Sequence, residues 1–467
     1  MMRKNYLLIA GVAGVVLGLG LLAAAQEDIR VDPNASASAP PPAGVVTQDT
    51  GTGTDTDNMQ PDTHALTGVE PLGLGTERSA RSFLAPRFQI TEFGNTNPGD
   101  AGQGTQVESA TNLAASVDMR RLWGHAQFTA HYTAGGFLYS SDSGLDGSYH
   151  QFGITQSFTG HRWSLSLYDN GSYLPESPFG FYGNGVSAVN VNPLFLNNQT
   201  IFTTASSQVN NVAAASVNYN LTPRSSISMS GSFGVLSYTG AGLDSHQETA
   251  QFGYQHQLGR KDTLGVTYSA SLVQFTGGGG NNFVDHNLAL AYGHRVTGKL
   301  ALQFSGGPQV INGNDFASGA GYSVSWGAQA GMTYQMRHMS TSLSYWHYAN
   351  AGSGVFNGAS TNSITGSLSR GLTRTLSASL SGGYARNTNL EEVLGLGAKQ
   401  AFNTEYGTVE LHHPLAHTAS VYFTYTVQNQ SSNTGILCNG TLCTVDRIRH
   451  VFGGGVSWAP RPLLIGR

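Results

Sequence analysis

The chain has 467 residues, of which 61 are glycine and only 11% are charged, against an average near ~25% for soluble domains. A net charge of -4 gives no basic surface for nucleic acid, and no apolar run beyond the N-terminus approaches the ~18 residues of a membrane helix. Low charge, abundant glycine and 10% aromatics fit a sheet whose hydrophobicity is halved by alternation.

Residues 1–25 read as a secretory signal peptide. Arg3 and Lys4 form a positive start, Tyr6 to Leu22 is apolar, and Ala23-Ala24-Ala25 gives a small-x-small cleavage site. An uncleaved anchor is the alternative, because the apolar stretch is long for such a signal. Residues 26–81 are rich in Ala, Pro, Thr, Gly and Asp, as in ASASAPPPAG and TGTGTDTD. That composition buries little, so the segment reads as a disordered periplasmic linker. Asp55 and Asp57 lack the spacing of a calcium loop.

From residue 82 to 467 the chain alternates. In RSSISMSGSFGVLSY, Ser226, Ser228, Ser230 and Ser232 take one parity, and Ile227, Met229, Phe233 and Val235 take the other. A period of two is a strand with an apolar face and a hydroxyl face. The pattern recurs from Arg162, Thr249, Asp262, Lys299, Arg374 and Thr418, in runs long enough to cross a bilayer at a tilt. Connections alternate between short and long. The short ones gather Arg and Lys, as at Arg120-Arg121, Arg224 and Arg260-Lys261; the long ones gather acids, as at Asp142, Asp146, Asp244, Glu391 and Glu392. Short turns on one rim and long loops on the other describe a transmembrane antiparallel up-and-down β-barrel. Parity, with APRFQITEFG as the first strand, gives about eighteen strands, or sixteen if the first pair is misread. Lipid forbids open edges, so the sheet must close.

In that barrel the apolar parity meets lipid. The other parity lines the lumen with His125, Gln127, Thr129 and His131, with the four serines from Ser226 to Ser232, with Gln251 and Gln255, and with Ser377 and Ser379. Small neutral dipoles suit a water-filled channel. Trp123, Trp163, Tyr238, Phe275, Tyr348 and Trp458 fall near strand ends, where interfacial girdles form. Cys438 and Cys443 in ILCNGTLC are the only two cysteines. In an exported chain they read as a disulfide across a short loop.

Other motifs carry little. HHPLAH, His412 to His417, sits at a short turn where Pro414 fixes the bend, so no metal is assigned. His338 and Ser340 share a strand face, but His-x-Ser alone is no nucleophile and base. GGGG, Gly277 to Gly280, opens no helix and so cradles no phosphate. No acid, base and nucleophile converge in the sequence, so neither enzyme nor cofactor is expected.

The strand VFGGGVSWAP resembles the C-terminal insertion signal of bacterial outer-membrane barrels, polar-x-Gly-x-x-apolar-x-aromatic. Gly453, Val456 and Trp458 match it; Val451 departs at the polar position, and the chain runs on through Ala459 to Arg467. The wider resemblance, over residues 82–458, is to porin-like barrels in general. It implies placement in the outer membrane of a Gram-negative bacterium, insertion by the barrel-assembly machinery, and contact with outer-membrane lipid and lipopolysaccharide, with a homo-oligomer possible in principle. The expected function is passive diffusion of small hydrophilic solutes through a neutral polar lumen. The alternative is a non-conducting surface barrel that uses its long loops for adhesion or assembly.

Overall fold

The computed structural model describes residues 82–96, 107–140, 146–174, 207–239, 243–276, 282–313, 321–336, 338–352, 356–390, 399–432, 436–438, 441–443 and 447–465. Residues 1–81, where a signal peptide and a linker are expected, lie outside them, as does most of the long-loop sequence. The strands are β1 (Phe83–Thr96), β2 (Val107–Trp123), β3 (Ala126–Tyr139), β4 (Gly147–Thr159), β5 (Trp163–Leu174), β6 (Gln208–Thr222) and β7 (Ser225–Tyr238). Next come β8 (Asp244–Gln257), β9 (Asp262–Thr276), β10 (Phe283–Arg295), β11 (Leu300–Gly313), β12 (Tyr322–Gln335), β13 (Met339–Asn350) and β14 (Ala359–Gly371). The rest are β15 (Ser377–Asn389), β16 (Ala401–Pro414), β17 (Ala419–Ser432), β18 (Ile436–Cys438), β19 (Thr441–Cys443), β20 (Arg447–Trp458) and β21 (Leu463–Leu464).

Each strand from β1 to β16 pairs antiparallel with the next. β20 pairs with β17 on one side and β1 on the other, which closes the sheet at eighteen strands. The count of sixteen is thereby set aside: β1 is fully paired to β2 over its whole length. The small strands β18 and β19 form a separate hairpin. Beyond Trp458 the chain continues beside β1, where β21 pairs Leu463 with Leu84 and Leu464 with Phe83. The residues after the terminal aromatic thus extend the seam.

Directly opposite residues share a face, so the registers carry one face round the whole sheet. Met229, Leu290 and Val324 stand on the outer face, 58%, 64% and 65% exposed, among a continuous series of large apolar side chains. The concave face is polar and packed: Gln89, Thr91, Asn112, Gln208, Gln309 and Thr404 are buried there. This is the inside-out arrangement of a barrel built for lipid.

Local chemistry closes each hairpin. At one rim, Thr297 Oγ1 accepts from the amides of Lys299 and Leu300 at 3.1 and 3.0 Å, and Thr373 Oγ1 does the same for Thr375 and Leu376 at 3.2 and 2.9 Å. A hydroxyl two residues back supplies the acceptor that a tight turn lacks. At the other rim, Asp146 and Asn282 immediately precede descending strands and Asp244 opens one. Each accepts from the amide of an ascending strand's end: Tyr139 at 2.7 Å, Tyr238 at 2.8 Å and Phe275 at 2.9 Å. These two acids thus hold hairpins together.

Two expectations change. The first short turn is Gly124–His125, and Arg120 and Arg121 lie within β2, because Leu122 and Trp123 continue the alternation and lengthen that strand to 17 residues. Of the six expected girdle aromatics, Trp123, Trp163 and Trp458 are exposed on the outer face. Tyr238 and Tyr348 are buried inward, and Phe275 packs against an inner apolar cluster. Position near a strand end does not decide facing; parity does. Tyr238 shares the parity of the serines on β7, not that of Met229.

Candidate functional site

The site is the inner wall. Gln127, Thr129 and His131 lie on β3, and His131 is buried against β2. His125 lies in the turn itself and is exposed. On β7, Ser226, Ser230 and Ser232 stand opposite Gln255, Gln251 and Thr249, and Ser228 stands opposite Gly253. Ser377 and Ser379 on β15 stand opposite His412 and Glu410. From β4 to β15 the wall is mostly Ser, Thr, Asn and Gln, with Asp285 held by Gln309, whose Nε2 donates to Asp285 Oδ2 at 2.9 Å.

The wall is not neutral throughout. Closure gathers Arg449 of β20, Arg87 of β1, Asp118 and Arg120 of β2, His131 of β3, and Glu410 and His412 of β16 into one sector of the circumference. Arg449 Nε donates to Asn95 Oδ1 at 2.7 Å, and Arg120 Nη2 donates to Gln127 Oε1 at 3.3 Å. Tyr422 of β17 crosses above Gly455 of β20 and hydrogen-bonds with Gln89 and Thr91 of β1. A side chain at position 455 would fill the space that the Tyr422 ring occupies. Tyr149 does the same over Gly135, reaching Asn112 Oδ1 at 3.3 Å.

Asp118, His131 and Thr133 form a relay that no sequence motif marks. His131 Nδ1 meets Asp118 Oδ1, and Thr133 Oγ1 lies 2.8 Å from His131 Nε2. The order is that of acid, base and hydroxyl. All three are buried, and the backbone around them is committed to the β2–β3–β4 ladder. No amide pair stands free there to hold an oxyanion. The i, i+2 spacing of His131 and Thr133 was visible in the sequence, but Asp118 joins them only through strand register.

One connection packs against the inner wall. The described residues between β13 and β14 turn inward: Phe356 is buried and packs on Phe402 of β16, with ring centroids 5.2 Å apart. Gly352 and Gly358 have φ of 78° and 94°, values that L side chains rarely adopt. A Cβ on Gly358 would lie 2.8 Å from the Phe283 ring of β10 and 2.9 Å from Leu390. β10 is several strands away from β14, so the connection passes over the inner wall rather than standing above it. Val273, Phe283, Ile311, Ala349 and Ala351 form the apolar floor it rests on.

Gly453 is in close contact with Phe93, while Val456 and Trp458 face outward at 49% exposure each. Trp458 stacks on Phe88 at 5.7 Å. Val451 is buried in a cluster with Phe93, Ala110, Ala114, Phe137 and Tyr149. Cys438 closes β18 and Cys443 closes β19; their side chains lie outside the described set. Among the described residues, no group of three or more His, Cys, Asp or Glu is arranged to hold a metal.

No family model matches the chain, and no curated protein matches it. Among solved structures, Acinetobacter baumannii OccAB4 aligns over 82% of this chain and 99% of its own, at 8% identity and a TM-score of 0.42. The outer membrane protein opdK from Pseudomonas aeruginosa aligns over 81% and 99%, at 11% identity and a TM-score of 0.41. Pseudomonas aeruginosa OccK5 (OpdH) aligns over 82% and 98%, at 12% identity and a TM-score of 0.43.

Proposed function

We propose that the chain is an outer-membrane diffusion channel of a Gram-negative bacterium that passes small hydrophilic solutes. The carrying observation is the separation of faces in a closed eighteen-strand sheet: large apolar side chains outside, Ser, Thr, Asn and Gln inside. Barrels of ~16–18 strands enclose more volume than such short side chains fill. The inward connection carrying Phe356 sets the width, and the charged sector around Arg87 and Arg120 sets the preference among ions. The buried Asp118–His131–Thr133 relay serves this reading as a fixed polar part of the wall. Gly453, Val456 and Trp458 would be read by the barrel-assembly machinery during insertion.

Planar-bilayer recording on the purified, folded protein tests the reading. Discrete current steps are expected. A folded barrel that passes no current, with or without residues 26–81, would promote the surface-scaffold alternative.

A further inference from the structure

The outer face carries a polar belt near its long-loop rim. Tyr132, Tyr268 and Tyr425 each bond through the hydroxyl to the Nδ1 of a histidine on the neighbouring descending strand: His150 at 3.0 Å, His286 at 2.9 Å and His450 at 3.0 Å. Each pair is stacked. Tyr345 and Tyr384 repeat the device with asparagine, donating to Asn362 Oδ1 at 3.2 Å and Asn403 Oδ1 at 3.0 Å. In all five, the partner sits two residues before the tyrosine's direct cross-strand neighbour. The pairs occupy β3–β4, β9–β10, β13–β14, β15–β16 and β17–β20. They surround the barrel, so no single protein interface covers them all; lipid does.

Within this belt stands Arg386 of β15. It shares the outer face with Tyr384 and is exposed. Asn362 lies directly opposite it on β14, and Asn403 directly opposite it on β16. Directly opposite side chains have Cβ atoms ~5 Å apart. Asn362 Oδ1 is taken twice, by Tyr345 and by His347 Nδ1 at 2.8 Å; Asn403 Oδ1 is taken by Tyr384. Each amide is thereby oriented, and each Nδ2 is left without a hydrogen-bond partner among the described residues. Arg386 likewise makes no ion pair among the described residues, although Glu405 lies two residues along β16 from Asn403. An unpaired guanidinium on a lipid face is costly. Flanked by two oriented N–H donors, it has the form of a site for a phosphate group.

We infer that Arg386, Asn362 and Asn403 bind a phosphate of the outer-leaflet phosphoglycolipid, and that the tyrosine belt marks the depth of that headgroup layer. The inference rests on the outer-membrane placement proposed above. The occupant is a lipid because the site lies beside the lipid-facing apolar wall. Glu405 also faces outward beside the site, and Glu92 of β1 and Glu248 of β8 face outward elsewhere round the barrel; divalent cations between carboxylate and phosphate would neutralise them.

The test is native mass spectrometry of the full folded protein in detergent with constant Mg2+. The probe is a bisphosphorylated disaccharide glycolipid, and the control is its dephosphorylated form. The wild type should retain the phosphorylated lipid and not the control. Arg386→Gln should weaken retention roughly tenfold, the scale of a lost charge-assisted bond. Asn362→Leu combined with Asn403→Leu should weaken it too, and Arg386→Lys should restore part of it. Conductance should stay at the wild-type value in every variant, which confirms folding because these residues face away from the lumen. Unchanged retention by Arg386→Gln would overturn the inference. So would displacement by millimolar inorganic phosphate, which would assign the site to a soluble anion, or a homodimer that buries position 386. A missing current with retention intact would sink the channel reading alone.

Discussion

Arg449 donates through Nε to Asn95 Oδ1 at 2.7 Å, although 354 residues separate them in the chain. The same seam holds the amide of His450, which donates to Thr96 Oγ1 at 2.8 Å, and Tyr422, which spans β20 to reach β1. Asn95→Leu should therefore lower the temperature at which the folded barrel converts to the unfolded gel band. A lost bond to a charged group is worth about 1.5–3 kcal/mol. Gly455→Val, which displaces Tyr422, should lower it further. Thermal gel-shift series on both variants check this.

Register makes opposite demands of adjacent residues on β7. Met229→Arg should impair insertion, since a lipid-facing arginine near the midplane costs ~2–4 kcal/mol. Ser230→Arg should fold and reduce single-channel current, because its side chain enters the lumen. Yields of folded protein from matched refolding into lipid, followed by bilayer recording, separate the two; a reversed outcome would show the faces misassigned.

The connection between β13 and β14 should control width. Phe356→Ala removes a buried ring, a change that costs about 3–5 kcal/mol in a well-packed core. The connection should loosen from Phe402 and the open-channel current should rise. Gly358→Val should disturb the same connection, because its φ of 94° and its contact with Phe283 both exclude a side chain. Single-channel conductance and the size cut-off for neutral sugars report both.

Ion preference should follow the arginines of the wall. Arg87→Gln with Arg120→Gln should shift the reversal potential in a salt gradient toward cation selectivity. The shift should shrink as salt rises, since screening acts within ~10 Å at 0.1 M. A salt-independent shift would point to a change of shape rather than of charge.

Cys438 and Cys443 stand at the ends of two paired strands whose intervening loop is short. A thiol assay on the purified oxidised protein should find no free thiol. Reduction should leave the barrel's melting temperature unchanged, because the crosslink closes only a local hairpin.

Much of the barrel was legible because its rule is written into every strand. Alternation assigned Met229 and Ser230 to different faces, and the alternating connection lengths gave eighteen strands without any long-range information. What alternation cannot supply is height and neighbourhood. Alternation marks His131 only as one of a run of lumen-lining residues, Arg120 goes with Arg121 to a short turn, His412 belongs to HHPLAH, and no motif singles out Arg87; the four join one charged sector only when β20 closes against β1. The relay of Asp118 with His131 needs the β2–β3 register. Tyr348 lies near a strand end, as a girdle residue would, and only its parity turns it inward. Phe356 lies in a connection with no period at all, so nothing local marked it as inward.

Every pairing in the barrel joins strands that are neighbours in sequence, or are parted only by the β18–β19 hairpin, except those of β1 with β20 and with β21. These two must wait for the whole chain. Until then the protein is a wide curved sheet with two open edges, and open edges recruit other strands. Loop-closure cost makes such a last step slow. Assembly therefore cannot proceed in independent halves. A chain that stalls before Arg447 exposes β1 and β17 together, and its failure would be aggregation rather than a smaller pore.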